Sequence, residues 1–288
     1  MLVNGADCSI VIRTTHREID VPYSDETLRE AVSFLQENAP IEGDGICRGI
    51  LKYNGITGCV VTPLTIDTAP LLLFLAMGAC GNPVFISETK NLFKYQLNLV
   101  PMENTQHFDV IQDRKNECLL FEYCCCHGFE LRIMRDETIK LKLDIESFYR
   151  TRTYPHLEMK YNRENNERFK GDCVTYKING KEYKNIYGIT LVSKKKGGTK
   201  TEIWIKRALK EGSEIPTSIE EFIITAQLLR DKYEYRHFGT FRITIKRMVL
   251  IGDETEVNAC DAVIAPLRFY ASGGITTEVF ISGKEYIA

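Results

Sequence analysis

Alternation between apolar and polar residues recurs along this chain and restricts it to a fold built mainly from β-strands. The segments 93–100, 138–145 and 241–250 each place apolar side chains at alternate positions, with polar or charged residues between them. A period of two is the side-chain period of a strand, and one apolar face with one polar face is typical of antiparallel sheets. The sequence therefore predicts a mainly β protein, as a β-barrel or a β-sandwich.

The segment 189–205 predicts two strands joined by a basic tip. The tip consists of Lys194, Lys195, Lys196, Gly197 and Gly198, and its two glycines can adopt the positive φ that a tight hairpin needs. We expect these five residues to be exposed and to contact neighbouring subunits or rings. A lysine-rich turn that is simply solvated is the alternative.

Two segments interrupt the strand pattern and predict short helices. In 24–38, apolar residues recur at helical spacing after Ser24, whose hydroxyl can cap the first turn. In 67–78, Pro70 lies in the first turn and Gly78 is placed to end the helix. The second helix is apolar on all sides, so we expect it to be buried.

A polar stretch divides the chain into two β-rich halves. Residues 149–171 interrupt the strand pattern on both sides, which predicts a linker or an exposed excursion. The predicted domains are 1–148, which contains the helix 24–38, and 172–288. Each half ends in alternating strands, but no residue-level repeat establishes a duplication.

Length and composition indicate a globular protein without a membrane anchor. The chain has 288 residues, of which 44% are hydrophobic, and a formal net charge of −2, which argues against a general polyanion-binding protein. The longest apolar run, 69–77, is too short to span a bilayer. The start of the chain lacks the pattern of a secretory signal, so we expect the ten cysteines to remain reduced.

The cysteine-rich segment 117–133 contains three consecutive cysteines followed by His127. Zinc sites usually take pairs of donors from two CxxC turns, and this chain contains no CxxC. If the segment is one regular strand, Cys118, Cys124 and Cys126 share one face and Cys125 lies on the other. We interpret the cysteines as packing residues, with a metal-binding or thiol enzyme centred on 118–127 as the alternative.

The sequence shows no recognisable catalytic motif. It has no GxSxG, GxxxxGK[ST], HExxH or GxGxxG pattern, and its five histidines are scattered singly. The acidic run 253–256 has the composition of a turn between strands. We therefore predict no catalytic, cofactor-binding or metal-binding residues.

Four stretches of the chain resemble the major tail tube proteins of long-tailed bacteriophages and prophages. They are 49-GILKYNGITGCVVTPLTIDTAPLLLFLAMGACG-81, 93-FKYQLNLVP-101, 119-LLFEYCCCHGFELRIMRDETIKLKLDI-145 and 221-EFIITAQLLRDKYEYRHFGTFRITIKRMVLIGDETEVNACDAVIAPLRFYASG-273. In that family, a strand-rich half-barrel is followed by a short apolar helix and by strands that close the barrel. This chain is longer than the usual single-domain form, so two tandem tube-like β domains are the expected arrangement.

The resemblance implies a structural role in a virion tail without catalysis. Such proteins join their sheets into rings, stack the rings through loops and a long hairpin, and leave a conduit through which DNA passes as cargo. The implied partners are further copies of the chain and other tail proteins, and assembly would take place in the host cytoplasm. Two domains per chain would let three chains supply the six domains of a ring, and a neutral or acidic conduit would suit passing DNA. A monomeric β-rich binding module is a further alternative.

Overall fold

The computed structural model describes residues 9–15, 17–36, 49–87, 92–114, 116–157, 167–208, 214–229, 238–253 and 264–282. These residues are mostly in β-strands, with one α-helix, α1 (Ala69–Met77), which confirms the mainly β prediction. The strands are β1 (Ser9–Arg13), β2 (Glu18–Val21), β3 (Asp25–Glu26), β4 (Arg29–Gln36), β5 (Gly49–Pro63), β6 (Gly78–Cys80), β7 (Val84–Ser87), β8 (Leu92–Leu99), β9 (Phe108–Arg114), β10 (Glu117–Met134), β11 (Lys140–Ser147), β12 (Arg152–Thr153), β13 (Val174–Ile178), β14 (Lys181–Glu182), β15 (Ile186–Lys194), β16 (Lys200–Ala208), β17 (Ser218–Leu229), β18 (Phe238–Asp253), β19 (Ile264–Ala271) and β20 (Ile275–Ser282).

The strands pair antiparallel and form one large open sheet. Eight of its strands, which we call the main sheet, are paired in the order β4–β5–β11–β10–β15–β16–β19–β18. The first part of β18 also lies between β17 and β20, and β20 pairs in turn with β8. The pairings do not return to their starting strand, so the closed-barrel form of the prediction is wrong for the described residues.

The predicted helix 24–38 is wrong, because the described part of this segment forms β3 and β4. Both strands pair with β5, and the Thr27 N–H donates to the Cys59 carbonyl at 3.0 Å. Leu28 is buried, but Val32, on the same helical face in the prediction, is 59% exposed. A helix here would leave the backbone groups along this edge of β5 without strand partners, so tertiary pairing overrides the helical spacing.

The predicted apolar helix is confirmed as α1. Gly78 ends it with φ of +99°, and the Gly78 N–H donates to the Phe74 carbonyl. The Thr68 hydroxyl does not cap the first turn and instead lies 2.8 Å from the Thr65 hydroxyl. All residues of α1 except Phe74 are buried, and the helix packs against β6, β8, β10 and β20.

Buried residues from both predicted halves contribute to one hydrophobic core. Its members include Phe129 from the first half and Phe222 from the second. The pairings β10–β15 and β8–β20 also cross the predicted boundary. Phe169, within the predicted linker, is buried in the same core, whereas residues 158–166 lie outside the described residues. This continuity weighs against two independently folding domains, and the position of any boundary stays a prediction.

The two halves nevertheless repeat the same connection of six strands. In the first unit, β5 pairs with β4 and β11, and β10 pairs with β11, β9 and β12. In the second unit, β16 pairs with β15 and β19, and β18 pairs with β19, β17 and β20. The six strands come in the same chain order in both units.

The repeat extends to the backbone of the long central strands β10 and β18. Each contains one non-glycine residue with positive φ, Tyr123 at +50° and Arg247 at +51°. Each also has a register shift around a residue four positions further on, His127 and Ile251. Both pairs of equivalent residues are 124 positions apart (123 to 247, and 127 to 251). The two strands therefore bend and bulge at equivalent positions.

The cross-strand pairs follow the same shift of 124 positions. The matching pairs are Cys126–Ile145 with Leu250–Phe269, and Leu120–Arg152 with Thr244–Thr276. Residues of β10, β11 and β12 thus have counterparts in β18, β19 and β20, residue by residue. This equivalence allows the surfaces of the two units to be compared directly.

Candidate assembly surfaces

The predicted basic tip is a short loop that connects β15 and β16. Lys194, Lys196, Gly197 and Gly198 are exposed, as predicted, and both glycines have positive φ. The expectation that all five residues are exposed is wrong for Lys195, which is fully buried. The loop is held to the body, because the Lys195 N–H donates to the His127 carbonyl at 2.8 Å.

The buried Lys195 side chain reaches the C-terminal end of α1. Its Nζ lies 3.5 Å from the Leu75 carbonyl oxygen, where a cation is favoured by the helix dipole. Burial lowers the pKa of this ammonium, because the charged form loses its hydration. Sequence reasoning missed this position because Lys195 sits between two exposed lysines, and nothing local distinguishes it from them.

The three consecutive cysteines pack in the interior and donate to backbone carbonyls. The Sγ to O distances are 3.4 Å from Cys124 to Phe121, 3.5 Å from Cys125 to Glu146 and 3.1 Å from Cys126 to Gly128. Burial raises the pKa of the Cys125 and Cys126 thiols to about 11, which favours the protonated and unreactive form. These contacts support the packing interpretation.

The second unit supports the same interpretation independently. The counterparts of the three cysteines, 124 positions further on, are Met248, Val249 and Leu250. Met248 is buried and Leu250 packs against the core, so the counterparts of Cys124 and Cys126 are packing residues, and free cysteine can fill such positions as a small hydrophobic residue. Val249, the counterpart of Cys125, is half exposed. Among the described residues, no group of three or more His, Cys, Asp and Glu side chains is placed to hold a metal ion.

The predicted face shared by Cys118, Cys124 and Cys126 is wrong for Cys118. Cys124 and Cys126 belong to the main core, whereas Cys118 packs in a separate small cluster with Val11, Ile111 and Leu120. The cause is the left-handed conformation of Tyr123, which reorients the strand between the two cysteine positions. Parity counting assumes a regular strand and fails across such a bend.

The outward face of the main sheet carries charged residues interspersed with apolar ones and spans both units. Direct cross-strand neighbours form a row across it, in the order Val61, Lys142, Glu130, Val192, Glu202, Tyr270 and Val249. Lys142 pairs with Asp144 at 3.0 Å, and Arg268 pairs with Glu202 at 2.8 Å. The basic residues on this face include Arg29, Arg132, Lys140, Lys142, Lys194, Lys200, Lys206 and Arg268, and the acidic ones include Glu130, Asp144, Glu146 and Glu202. The face is therefore more basic than the chain as a whole.

Several sheet edges lack a neighbouring strand among the described residues, and two of them lie in the first unit. The strands β3 and β4 pair only with β5, and β12 pairs only with β10. An unpaired edge presents free backbone donors and acceptors and is a natural place for another strand to add.

Exposed apolar side chains concentrate in three places. Tyr123, Phe148 and Tyr149, which we call the aromatic patch, lie where β10 bends opposite the connection between β11 and β12. The other two groups are on β7 (Val84, Phe85 and Ile86) and on β18 (Val249 and Ile251). Contiguous exposed apolar surface is typical of interaction sites.

No known protein-family model matches this chain, and no curated protein matches it. Within the described part of the chain, no helix has both the length and the hydrophobicity needed to cross a membrane.

Proposed function

We propose that this chain is a structural protein of the phage tail tube type, which self-assembles into a ring or tube around a conduit for DNA. The observation that carries the proposal is the six-strand repeat, whose two copies are joined edge to edge by β10 and β15. A contact between two equivalent units is heterologous, and such a contact can be repeated from chain to chain until a ring closes. No catalytic step is required of the chain.

The internal joint supplies a template for the contact between chains. In it, β10 of the first unit pairs with β15 of the second, and Gly128 lies opposite Lys194. The equivalent of β10 in the second unit is β18, in which Gly252 is the counterpart of Gly128. The equivalent of β15 in the first unit is the edge formed by β3 and the start of β4. In the proposed ring, this edge receives the next chain from Gly252 at the end of β18 onward, and the counterparts of residues 130–134 lie outside the described residues.

The register of that contact follows from the pairing with the neighbouring strand. Strand β16 corresponds to β5 at a shift of 145 positions, because Ala208 lies opposite Ile264 as Pro63 lies opposite Lys140. Val192 pairs with Glu202, and Arg29 pairs with the equivalent Thr57. Ile189 likewise pairs with Ile205, and Glu26 pairs with the equivalent Val60. Both comparisons relate β15 to the β3–β4 edge by a shift of 163 positions (29 to 192, and 26 to 189). Lys194 then corresponds to Ala31, which lies in the register shift between Glu30 and Val32, so Ala31 of one chain is expected near Gly252 of the next.

The outward face of the main sheet would line the conduit, because the opposite face is buried in the core. Its basic excess departs from the neutral or acidic conduit that easy passage of DNA favours. We therefore expect weak, salt-sensitive contact with phosphates during passage. Binding of a double-stranded DNA fragment at low salt that disappears near physiological salt would agree with this role.

Light scattering at rising protein concentration and negative-stain imaging test the proposal. The expected particle is a ring of three chains, in which six units alternate around the axis. A chain that remains monomeric at every concentration, or a compact particle without a central opening, would contradict the proposal.

An engineered disulfide tests the joint itself. The double variant Ala31→Cys, Gly252→Cys should form crosslinked multimers under oxidising conditions, because the two positions meet across chains. Each single variant serves as a control, since the native cysteines remain in all of them. Rings that form without crosslinking would retain the function and reject this joint.

A further inference from the structure

The second unit has no aromatic residue at the positions that correspond to the aromatic patch of the first unit. The counterparts of Tyr123, Phe148 and Tyr149 are Arg247, Ser272 and Gly273. In the second unit, the adjacent strand β20 is covered along its outer edge by β8. In the first unit, the equivalent strand β12 has no such cover among the described residues. The patch and the uncovered edge therefore occur together.

The outer edge of β12 has backbone groups that can pair with an added strand over a few residues. The Tyr154 N–H donates to the Cys118 carbonyl at 2.8 Å, so Tyr154 is turned toward β10. In an antiparallel ladder the preceding residue is turned the other way, and the backbone N–H and C=O of Thr153 point outward. Pro155 has no N–H, which limits any added strand to a few residues.

The aromatic patch is held in place by the backbone around it. The rings of Tyr123 and Tyr149 stack with centroids 4.8 Å apart, and Phe148 beside them is 77% exposed. The Ser147 hydroxyl donates to the Glu122 carbonyl at 2.6 Å, and the Thr151 N–H donates to the Glu30 carboxylate at 3.1 Å. A fixed apolar surface loses little conformational entropy when it is covered.

The chain carries a short apolar edge strand that matches this surface. Strand β7 pairs only with β8 among the described residues, and Val84, Phe85 and Ile86 are each about half exposed. Its four residues fit the short stretch that β12 offers. Three consecutive exposed apolar residues on a sheet edge are a liability unless something covers them.

We propose that β7 of one copy docks along β12 and against the aromatic patch of another copy. This contact rests on the proposed self-assembly and is separate from the joint between β18 and the β3–β4 edge. Two different patches of the same chain meet in it, so it can repeat without limit. A second repeating contact of this kind connects one ring to the next and makes a tube from rings.

A double-mutant cycle tests the contact. The first variant, Phe148→Ser with Tyr149→Ser, changes the aromatic patch. The second, Val84→Thr with Ile86→Thr, changes β7, and the third combines all four substitutions. Each of the first two should weaken association between rings at least tenfold while leaving the mass of a single ring unchanged. The combined variant should be no weaker than either, because both remove the same contact.

The matched control is Val84→Ile, Ile86→Val, which changes the same positions of β7 and keeps them apolar. It should leave association between rings within about twofold of the unchanged chain, and circular dichroism establishes that every variant is folded. Additive losses, or a loss from only one of the two surfaces, would overturn the pairing of β7 with the patch.

The two proposals fail in different ways. If rings form but the patch and β7 variants associate normally, the docking contact is rejected and the ring remains. If no rings form, the same variants are compared for association between monomers. Loss of that association in both variants would support the docking contact alone, and absence of any self-association would reject both proposals.

Discussion

The bend of β10 and the bend of β18 have the same backbone and opposite surfaces. Tyr123 and Arg247 adopt nearly the same φ, and the bulge follows four residues later in both strands. Across from these bends, the first unit has Phe148 and Tyr149, whereas the second has Ser272 and Gly273. Strand pairing therefore determines the backbone path in both units. The side chains beside the bend differ because β8 covers the adjacent strand β20 in the second unit, whereas no described strand covers β12 in the first.

The strongest test of this comparison is Gly273→Ala. A Cβ at Gly273 would lie 2.3 Å from the Lys246 carbonyl oxygen, although the first unit accepts tyrosine at the equivalent position. We expect a loss of about 3 kcal/mol in the free energy of unfolding, because backbone must move to make room. Chemical denaturation measures it. The control Gly274→Ala has no atom within 4 Å and should change stability by less than about 0.5 kcal/mol. An equal effect at both glycines would refute the close crossing.

The next largest effect is expected at Lys195, the buried lysine of the second unit. Lys195→Met removes a charge from the interior and should raise the free energy of unfolding at pH 7 by about 2 kcal/mol. Lys194→Met, on the exposed neighbour, should have little effect. A destabilised Lys195→Met protein would show that the contact with the Leu75 carbonyl outweighs the cost of burial.

The pH dependence of the same variant has a definite sign. Burial lowers the pKa of Lys195 in the folded protein, so the unfolded chain binds the proton more tightly. The unchanged protein should therefore gain stability as pH rises from the folded pKa toward the unfolded value near about 10.4. The Lys195→Met variant should lack this gain, and denaturation curves at several alkaline pH values measure the difference.

A smaller effect is expected at the cysteines, where the first unit departs from the apolar residues of the second. Cys124→Ser and Cys126→Ser should each cost about 1 kcal/mol, because a hydroxyl replaces a buried thiol and retains only a similar hydrogen bond. Metal content measured by elemental analysis should not change. A variant that both unfolds and loses a stoichiometric metal would show that the packing interpretation is wrong.

The smallest effect is expected at the bends themselves. Arg247→Gly should stabilise the protein by about 0.5 kcal/mol, because glycine adopts positive φ without strain, and Tyr123→Gly should give a smaller gain, because it also removes the ring that stacks on Tyr149. Arg242→Gly, in the extended part of β18, should instead destabilise it by about 1 kcal/mol. Effects of opposite sign at Tyr123 and Arg247 would break the equivalence of the two bends.

The sequence was sufficient to predict the class of fold and part of its surface. Alternation predicted the strands at 93–100 and 138–145, and the apolar segment ending at Gly78 predicted α1. The helix predicted at 24–38 failed because apolar spacing is a local signal, whereas pairing with β5 is a tertiary one. The exposure of Lys194 and Lys196 was predicted correctly by the same reasoning that failed for Lys195.

The repeat was not visible in the sequence because equivalent positions share geometry and not residue type. Cys126 corresponds to Leu250, and Tyr149 corresponds to Gly273. Only the register of paired strands reveals that these residues occupy the same place. The aromatic patch was hidden for a related reason, since its members come from β10 and from a connection that follows β11.

The internal pairing of β10 with β15 also has a kinetic consequence for assembly. Two units on one chain meet at the high effective concentration of a tethered pair, and they do not have to find each other by diffusion. A ring of six units built from three such chains needs only two encounters in solution, after which the third contact closes within the particle. Each chain enters the ring with its internal joint between β10 and β15 already formed. Fewer kinds of incomplete ring are therefore possible, and fewer of them can associate in the wrong order.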